Sequence, residues 1–277
     1  MKFENANVLI TGGASGIGKI MGKMALEKGA RCFIIWDINL AGIEATRKEL
    51  SKFGKVKGYI VDVANNDIVT KAYEKTVKDC GYIDILINCA GSGISGAVEF
   101  TMLSEAEKQM DINFFGTVNM TRAVLPYMRK AKSGRIVNIS SVAAAFPIPF
   151  QAYYSASKAA INAYTRALIN EVKPFGITAT AIQPGDIKTG FTAAREKSAA
   201  GDEEYGGIIS RSVAKMEKDE ENGMDASTAG RMIAKIALSK HCKPIYTLGL
   251  SYKLLCLAGK LLPVSLANKI IGIMYAK

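Results

Sequence analysis

The sequence predicts an α/β fold, a doubly wound parallel sheet with helices on both faces. Three observations carry this expectation. Short apolar runs alternate with longer helical stretches at regular spacing along the chain. The runs are continuously apolar rather than alternating, as strands buried on both faces of a parallel sheet require. No stretch rich in Pro, Gly or Ser divides the 277 residues, so the chain reads as one domain, 1–277. Such alternation implies right-handed crossovers, with ligands bound at the carboxyl ends of the strands.

Residues 8–11 form the first strand and run into Thr11-Gly12-Gly13-Ala14-Ser15-Gly16-Ile17-Gly18. A helical stretch follows over residues 19–28, closed by Gly29. Gly12 permits a tight turn, and Gly16 and Gly18 permit close approach of backbone to phosphate and of helix to sheet. The helix N-terminus then offers unpaired N–H groups to an anion. Together these suit a dinucleotide pyrophosphate; the alternative is a flexible turn.

The second strand, 32–36, stops at Asp37. A carboxylate about 20 residues beyond such a loop is placed to accept both hydroxyls of the adenosine ribose. It would repel a 2′-phosphate, and no basic residue stands at Ala14, Ser15 or Ile38 to receive one. This favours NAD over NADP; the alternative for Asp37 is a helix cap or a loop charge.

A helical stretch at 40–52 leads to the third strand, 55–60, and then to Asp62-Val63. Another helix ends near Cys80-Gly81 before the fourth strand, 84–88, which stops at Asn88-Cys89-Ala90-Gly91. A long helical region ends at Lys132-Ser133-Gly134 before the fifth strand, 135–140, and Ser140-Ser141. A helix ending near Pro174-Phe175-Gly176 precedes the sixth strand, 177–182, and Pro184-Gly185; residues 245–247 read as a last short strand. Each strand end is polar or small where the apolar run stops.

Tyr154 and Lys158 lie in the stretch opening the helix that runs through Glu171, and their i, i+4 spacing puts them on one face. A tyrosine with its reference pKa of about 10 is a poor base at neutral pH. A nearby cation stabilises the phenolate and lowers that value. Tyr154 can then exchange a proton with a carbonyl or alcohol oxygen, and Ser141 can hydrogen-bond the same oxygen. The alternative is an exposed helix pair.

These segments resemble the short-chain dehydrogenase/reductase family in its compact single-domain form. The matching stretches are Thr11 to Gly18, Asp62-Val63, Asn88-Cys89-Ala90-Gly91, Asn113-Phe114-Phe115-Gly116, Ser140-Ser141, Tyr154 to Lys158 and Pro184-Gly185 through Thr189. They occur in family order over about residues 5 to 190. The resemblance implies a Rossmann-type fold and a tetrad of Asn113, Ser141, Tyr154 and Lys158. In that reading Tyr154 is the general acid/base, and Lys158 lowers its pKa and binds the nicotinamide ribose. Ser141, the second of its pair, orients the substrate oxygen. Asn113 holds a water that relays protons between Lys158 and solvent. Tyr154 is chosen over Tyr153 because it alone has a lysine four residues on. The expected cofactor contacts are Gly12, Ser15, Gly16, Ile17, Gly18, Asp37, Asp62, Val63, Asn88, Ala90, Gly91, Tyr154, Lys158, Pro184, Gly185, Ile187 and Thr189. Cys89 departs from the family, which usually has a second Asn there.

Composition narrows the rest. Hydrophobic residues make up 49% of the chain, enough for a sizeable core and too many for disorder. The net charge of +11 comes from scattered basic residues without a nucleic-acid motif, so no nucleic-acid partner is expected. Five cysteines without paired metal spacing suggest reduced thiols, no metal and a cytoplasmic setting. The single histidine, His241, sits in a polar patch and reads as a surface residue. No apolar leader precedes the glycine loop, and no run reaches the length of a membrane span.

Residues 191–225 are charged and weak in structural signals, and in the family this segment covers the substrate. The C-terminal extension, 250–277, reads as two amphipathic helices separated by Pro263. Three readings of these helices are open: a roof over a lipophilic pocket, an oligomer interface, or peripheral contact with a membrane. Lys253, Lys260, Lys269 and Lys277 suit anionic headgroups. The tail resembles those of family members acting on steroids and lipid-like alcohols. The leading expectation is therefore an NAD(H)-dependent oxidoreductase interconverting a secondary alcohol and a ketone on a hydroxysteroid-like or lipid-like substrate. The alternatives are an NADP-dependent carbonyl reductase of small or polar substrates, and a catalytically silent dinucleotide sensor. The resemblance also implies a homodimer or homotetramer through the long helices around 113–128 and 152–174.

Overall fold

The computed structural model of the chain describes residues 2–239 and 242–276. Seven strands form one parallel sheet: β1 (Asn7–Thr11), β2 (Cys32–Asp37), β3 (Val56–Ile60), β4 (Ile85–Asn88), β5 (Gly134–Ile139), β6 (Ile177–Gln183) and β7 (Ile245–Thr247). Their spatial order is β7-β6-β5-β4-β1-β2-β3. The chain therefore reverses direction across the sheet between β1 and β4. A crevice opens at the carboxyl ends there, because the crossovers leave to opposite sides. The register brings Thr11 level with Trp36 and Asn88, and Asn88 level with Asn138. The loops after β1, β2, β4 and β5 thus emerge along one edge.

The apolar runs are continuous because both faces of the sheet are covered. Val8 and Ile10 of β1 join Phe33, Ile35, Ile87 and Val137 in one core, which includes Ala229 and Ile233 of α9 (Ala226–Ala237). Leu9 joins Ile34, Trp36, Leu86 and Ile136 in the other, with Met120 and Val124 of α5 (Gly116–Ala131) and Leu168 of α6 (Ala152–Val172). Each fully buried Ile, Leu or Phe contributes about 1.5–3 kcal/mol, so the two layers together fix strand order and register. The remaining helices are α1 (Gly16–Glu27), α2 (Leu40–Leu50), α3 (Asn66–Cys80), α4 (Leu103–Met110), a single turn α7 (Phe191–Ala194), α8 (Ile208–Glu221), α10 (Leu250–Leu261) and α11 (Val264–Tyr275). Among the described residues no helix is long and apolar enough to cross a membrane.

The observed strands match the expected ones to within two residues. The sequence reading missed three things. A π-helical turn, Asp111–Phe115, joins α4 to α5. The helix α9 packs on α1, close enough that a Cβ on Gly230 would lie 2.5 Å from Ile20 Cγ2. The charged 191–225 segment contains α8, which buries Ile209, Ser212, Val213 and Met216 at helical spacing. All five cysteines are free thiols, with Cys32 and Cys80 4.0 Å apart in the core. His241 lies outside the described residues, as does Lys277.

Candidate active site

The loop after β1 is shaped by contacts that leave no room for side chains. Gly12 adopts φ +64°, and a Cβ there would meet the backbone of Ala90 at 3.1 Å. A Cβ on Gly18 would lie 2.3 Å from the Gly12 carbonyl oxygen, so α1 rests directly on the turn. The Thr11 hydroxyl accepts the N–H groups of Cys89 (3.0 Å) and Ala90 (3.1 Å), which locks the loops after β1 and β4 together. Ser15 caps α1 without a side-chain hydrogen bond, and no acidic residue stands in the first turn. The positive end of the helix dipole is therefore open to an anion.

Asp37 anchors the other side of this loop. Its Oδ2 accepts the Ala14 N–H at 3.1 Å and its Oδ1 the Asn39 N–H at 3.0 Å. A carboxylate has about four acceptor positions, so each oxygen keeps one for a further donor such as a ribose hydroxyl. Asn39, not Asp37, caps α2 by accepting the Gly42 N–H. Asp62 and Val63 are held from behind, where Asn119 donates to the Val63 carbonyl at 2.9 Å.

The catalytic candidates converge from α6, β5 and the π-helical turn. Tyr154 and Lys158 share the inner face of α6, and the Lys158 ammonium sits 5.6 Å from the centroid of the Tyr154 ring. Lys158 donates to the Ile139 carbonyl at 3.0 Å, and burial pulls its pKa down to about 8. Tyr154 differs from expectation. Burial pushes its pKa up to about 12, and the opposing influence comes first from the Ser141 hydroxyl. In the protein alone Lys158 therefore does not depress the phenol, which stays protonated at neutral pH. The choice of Ser141 over Ser140 has a physical basis, since the Ser140 hydroxyl donates to the Lys158 carbonyl at 3.0 Å and is committed to the fold.

Asn113 is fully buried in the π-helical turn. Its Nδ2 donates to Ser157 Oγ (3.0 Å) and the Ser92 carbonyl (3.1 Å), and its Oδ1 accepts the Ser92 N–H (2.9 Å). A Cβ on Gly91 would approach both Asn113 Oδ1 (3.1 Å) and Lys158 Nζ (3.5 Å). The two polar groups thus face one small space that glycine leaves open. π-Turns of this kind frequently occur at functional sites because they redirect one side chain without ending the helix.

One cavity of about 1130 Å³ joins these parts. Of the expected cofactor contacts, all but Asn88 line it. Asn88 is instead a sheet residue, donating to Asn138 Oδ1 at 2.8 Å, and Asn138 donates on to Thr165 at 2.9 Å. Its side chain points along the sheet rather than into the crevice. Asn113 lies behind the wall rather than on it. Cys89 is on the wall, with burial pushing its thiol up to about 11.

The far wall is built by the 191–225 segment expected to cover the substrate and by the C-terminal helices for which a roof was one expected reading, although none of its individual contacts was expected. Phe191 of α7 packs on Tyr154 with ring centroids 5.9 Å apart. Arg195, whose side chain is 1% exposed, pairs with Glu220 of α8, which also accepts the Thr192 hydroxyl at 2.6 Å. The helices α10 and α11 contribute Tyr252, Leu255, Ile271, Met274 and Tyr275 to the cavity wall, and so form a roof. The Tyr252 ring lies against Gly185, where a Cβ would come within 2.1 Å of it, and its hydroxyl donates to Asp186. Tyr275 donates to Asp219 at 3.1 Å. An acid directly after Pro184-Gly185 at a strand end was the available signal for Asp186.

The sequence pattern of the family described as short chain dehydrogenase matches residues 6–200. The chain is 44% identical over 236 residues to a 3-ketodihydrosphingosine reductase of Bacteroides thetaiotaomicron, covering 84% of each chain. Among solved structures, a short-chain dehydrogenase from Streptomyces avermitilis superposes with a TM-score of 0.82 at 25% identity, covering 94% of each chain. A 3-oxoacyl-[acyl-carrier protein] reductase with bound NAD from Brucella melitensis gives 0.72 at 27% identity, covering 88% of this chain and 90% of that one.

Proposed function

This chain belongs to the short-chain dehydrogenase family and is an oxidoreductase acting on CH–OH donors; from that premise we propose that it reduces the ketone of a lipid-like substrate to a secondary alcohol with NADH. The observation that carries this reading is the cavity, whose single wall joins the glycine loop, the Tyr154–Lys158 pair and an apolar roof. The apolar part comprises Val142, Phe146, Leu255, Ile271 and Met274, and apolar burial supplies most of the binding of such a substrate. The name of the Bacteroides relative favours a lipid ketone over a hydroxysteroid.

The residues fit the dinucleotide. The glycine loop has no side chain to block a pyrophosphate, the N-terminus of α1 faces it, and Asp37 keeps acceptor positions for ribose hydroxyls. The carboxylate, with no cation at Ala14, Ser15 or Ile38, favours NADH over NADPH. When bound, the nicotinamide supplies the hydride. Tyr154, protonated at neutral pH, donates its proton to the developing alkoxide. Ser141 hydrogen-bonds the same oxygen, the Lys158 cation offsets the negative charge left on the phenol oxygen, and Asn113 faces Lys158 across the space beside Gly91.

A lipid surface as the source of this substrate is supported by the outer faces of the roof. Leu250, Leu254, Leu257 and Leu261 recur at i, i+4, i+7 and i+11, and all are more than half exposed. This stripe lies opposite the face that packs on the protein through Tyr252 and Cys256. Leu266, Ile270 and Ile273 form a second exposed stripe on α11. Residues 226–277 contain eight Lys and Arg and no Asp or Glu, so most of the net charge of +11 sits in the roof and the segment leading to it. Exposed apolar stripes on a segment rich in Lys and Arg and free of Asp and Glu suit an anionic bilayer surface. Flotation with phosphatidylglycerol-containing vesicles, against phosphatidylcholine alone, tests this. Binding that is lost in Leu254→Glu/Leu257→Glu supports it. A wild type that ignores both vesicles, or a double variant that changes only the oligomeric state, assigns the face to a second copy of the chain.

The function itself is tested by reduced-cofactor absorbance with NADH and NADPH separately, against 3-ketodihydrosphingosine, a ketosteroid and short polar ketones. Turnover of the long-chain ketone with NADH supports the proposal. Turnover of short polar ketones alone, or with NADPH alone, contradicts it.

A further inference from the structure

The single turn α7 is too short to hold its own shape, so its place over the cavity is set by what it touches. Glu220 of α8 grips it at two points. Its Oε2 accepts the Thr192 hydroxyl at 2.6 Å, and its Oε1 pairs with Arg195. The Arg195 side chain is 1% exposed, yet its Nε and Nη1 have no hydrogen-bond partner among the described residues. A buried guanidinium satisfied so incompletely adds little to stability. Its other contact is the Phe191 ring, whose centroid lies 5.7 Å from Arg195 Cζ, and Phe191 in turn packs on the ring of Tyr154 at 5.9 Å. Both Phe191 and Arg195 rest on Gly93, where a Cβ would lie 3.0 Å from Phe191 Cζ and 3.5 Å from Arg195 Nε.

The floor under this stack is fixed on both flanks of Gly93. Fully buried Gln109 accepts the Ile94 N–H at 2.8 Å and donates to the Ser92 carbonyl at 2.6 Å. Asn113 holds the Ser92 N–H and carbonyl as well. The lid is then laid along this floor. The Glu196 N–H donates to the Gly93 carbonyl at 2.9 Å and the Ser198 N–H to the Ser95 carbonyl at 2.8 Å.

We propose that Arg195 is a positioning residue: gripped by Glu220, it holds the Phe191 ring between Gly93 and the ring of Tyr154, and so fixes the aim of the phenol that protonates the substrate oxygen. This rests on Tyr154 as the general acid and adds the group that keeps it in line. The lid thereby acts on the chemical step and not only on access to the cavity.

The test uses NADH and whichever ketone of the panel above the wild type reduces fastest. Arg195→Met should lower kcat about 10- to 100-fold, the cost of misplacing a catalytic group by about an ångström, with KM and the dissociation constant of NADH unchanged within about twofold. Phe191→Leu should lose a similar factor, and the double variant should be no slower than the slower single one, because both act through one contact. Deuterium exchange at the Glu196 and Ser198 N–H groups of the NADH complex should accelerate in Arg195→Met as α7 loosens. Gly93→Ala crowds Phe191 without removing the ion pair, so it should lower kcat in the same sense even if the Arg195 variant folds poorly. Losses that multiply in the double variant, a change in KM alone, or faster exchange with unchanged kcat make Arg195 a structural part of the lid and overturn the inference. Undiminished reduction by Tyr154→Phe overturns the acid assignment and the inference with it. Reduction of short polar ketones alone overturns the lipid-ketone reading and leaves the role of Arg195 to be decided by the same ratios.

Discussion

Lys158 holds its ammonium over the ring of Tyr154, 5.6 Å from the centroid, while its hydrogen bond goes to the Ile139 carbonyl. The two side chains therefore meet through the ring face rather than through a direct bond to the phenol oxygen. Burial acts on both members, pulling the lysine down to about 8 and pushing the tyrosine up to about 12. A protonated tyrosine beside a lysine that titrates near neutrality is an arrangement for donating a proton.

The sign of the lysine shift gives a stability prediction. Unfolded Lys158 titrates near 10.4 and the folded group near 8, so between these values the unfolded chain binds more protons. The penalty for burying the charge is complete below about pH 8 and is relieved as pH rises to about 10.4. Relative to Lys158→Met, the wild type should therefore gain stability across that window. Denaturant melts of both proteins at several pH values check this, and parallel curves would show that Lys158 is not buried as a cation.

Tyr154→Phe should lower ketone reduction by about 100- to 10,000-fold, the range of a general acid. NADH affinity should be unchanged, because the hydroxyl is lost and the ring that packs on Phe191 is kept. Titration of NADH fluorescence measures the second quantity, and steady-state rates the first.

Two glycines should respond in opposite directions to alanine. Gly18→Ala places a Cβ 2.3 Å from the Gly12 carbonyl, and the overpacking should cost about 1–3 kcal/mol and weaken NADH binding. Gly272 of α11 meets nothing within 4 Å, so Gly272→Ala should stabilise the protein by about 0.5–1 kcal/mol through helix propensity alone. Thermal melts with and without NADH distinguish the two.

Asp37→Ala removes the acceptor of the Ala14 and Asn39 N–H groups as well as the repulsion toward a 2′-phosphate. The variant should bind NADH about tenfold or more weakly and shift its preference toward NADPH. An unchanged ratio of the two affinities would place cofactor choice elsewhere on the loop.

Most of the sheet was legible in the sequence because strands buried on both faces leave an unmistakable apolar signature, and their ends fall where the apolar run stops. That rule overreached at Asn88, whose side chain turns to Asn138 in the neighbouring strand; position along a strand does not reveal which way a polar end residue points. The lid was read as a charged segment, yet Arg195 is buried against Glu220, a pairing 25 residues apart that composition conceals. The π-helical turn at Asn113 has no periodic signal, since it is one extra residue within an otherwise helical run. Tyr252 and Tyr275 read as part of an apolar tail, and their partners Asp186 and Asp219 become visible only when the roof is folded over the cavity.

The most direct measurement of the account is isotopic. A long-chain ketone is incubated with NADH carrying deuterium at the transferred position of the nicotinamide, and the alcohol is analysed by mass spectrometry for wild type and Tyr154→Phe. The expected result is one deuterium at the carbinol carbon of the wild-type product, and from the variant at most about one hundredth as much product in the same time. Unlabelled alcohol, or labelled alcohol formed equally well without the Tyr154 hydroxyl, would contradict it.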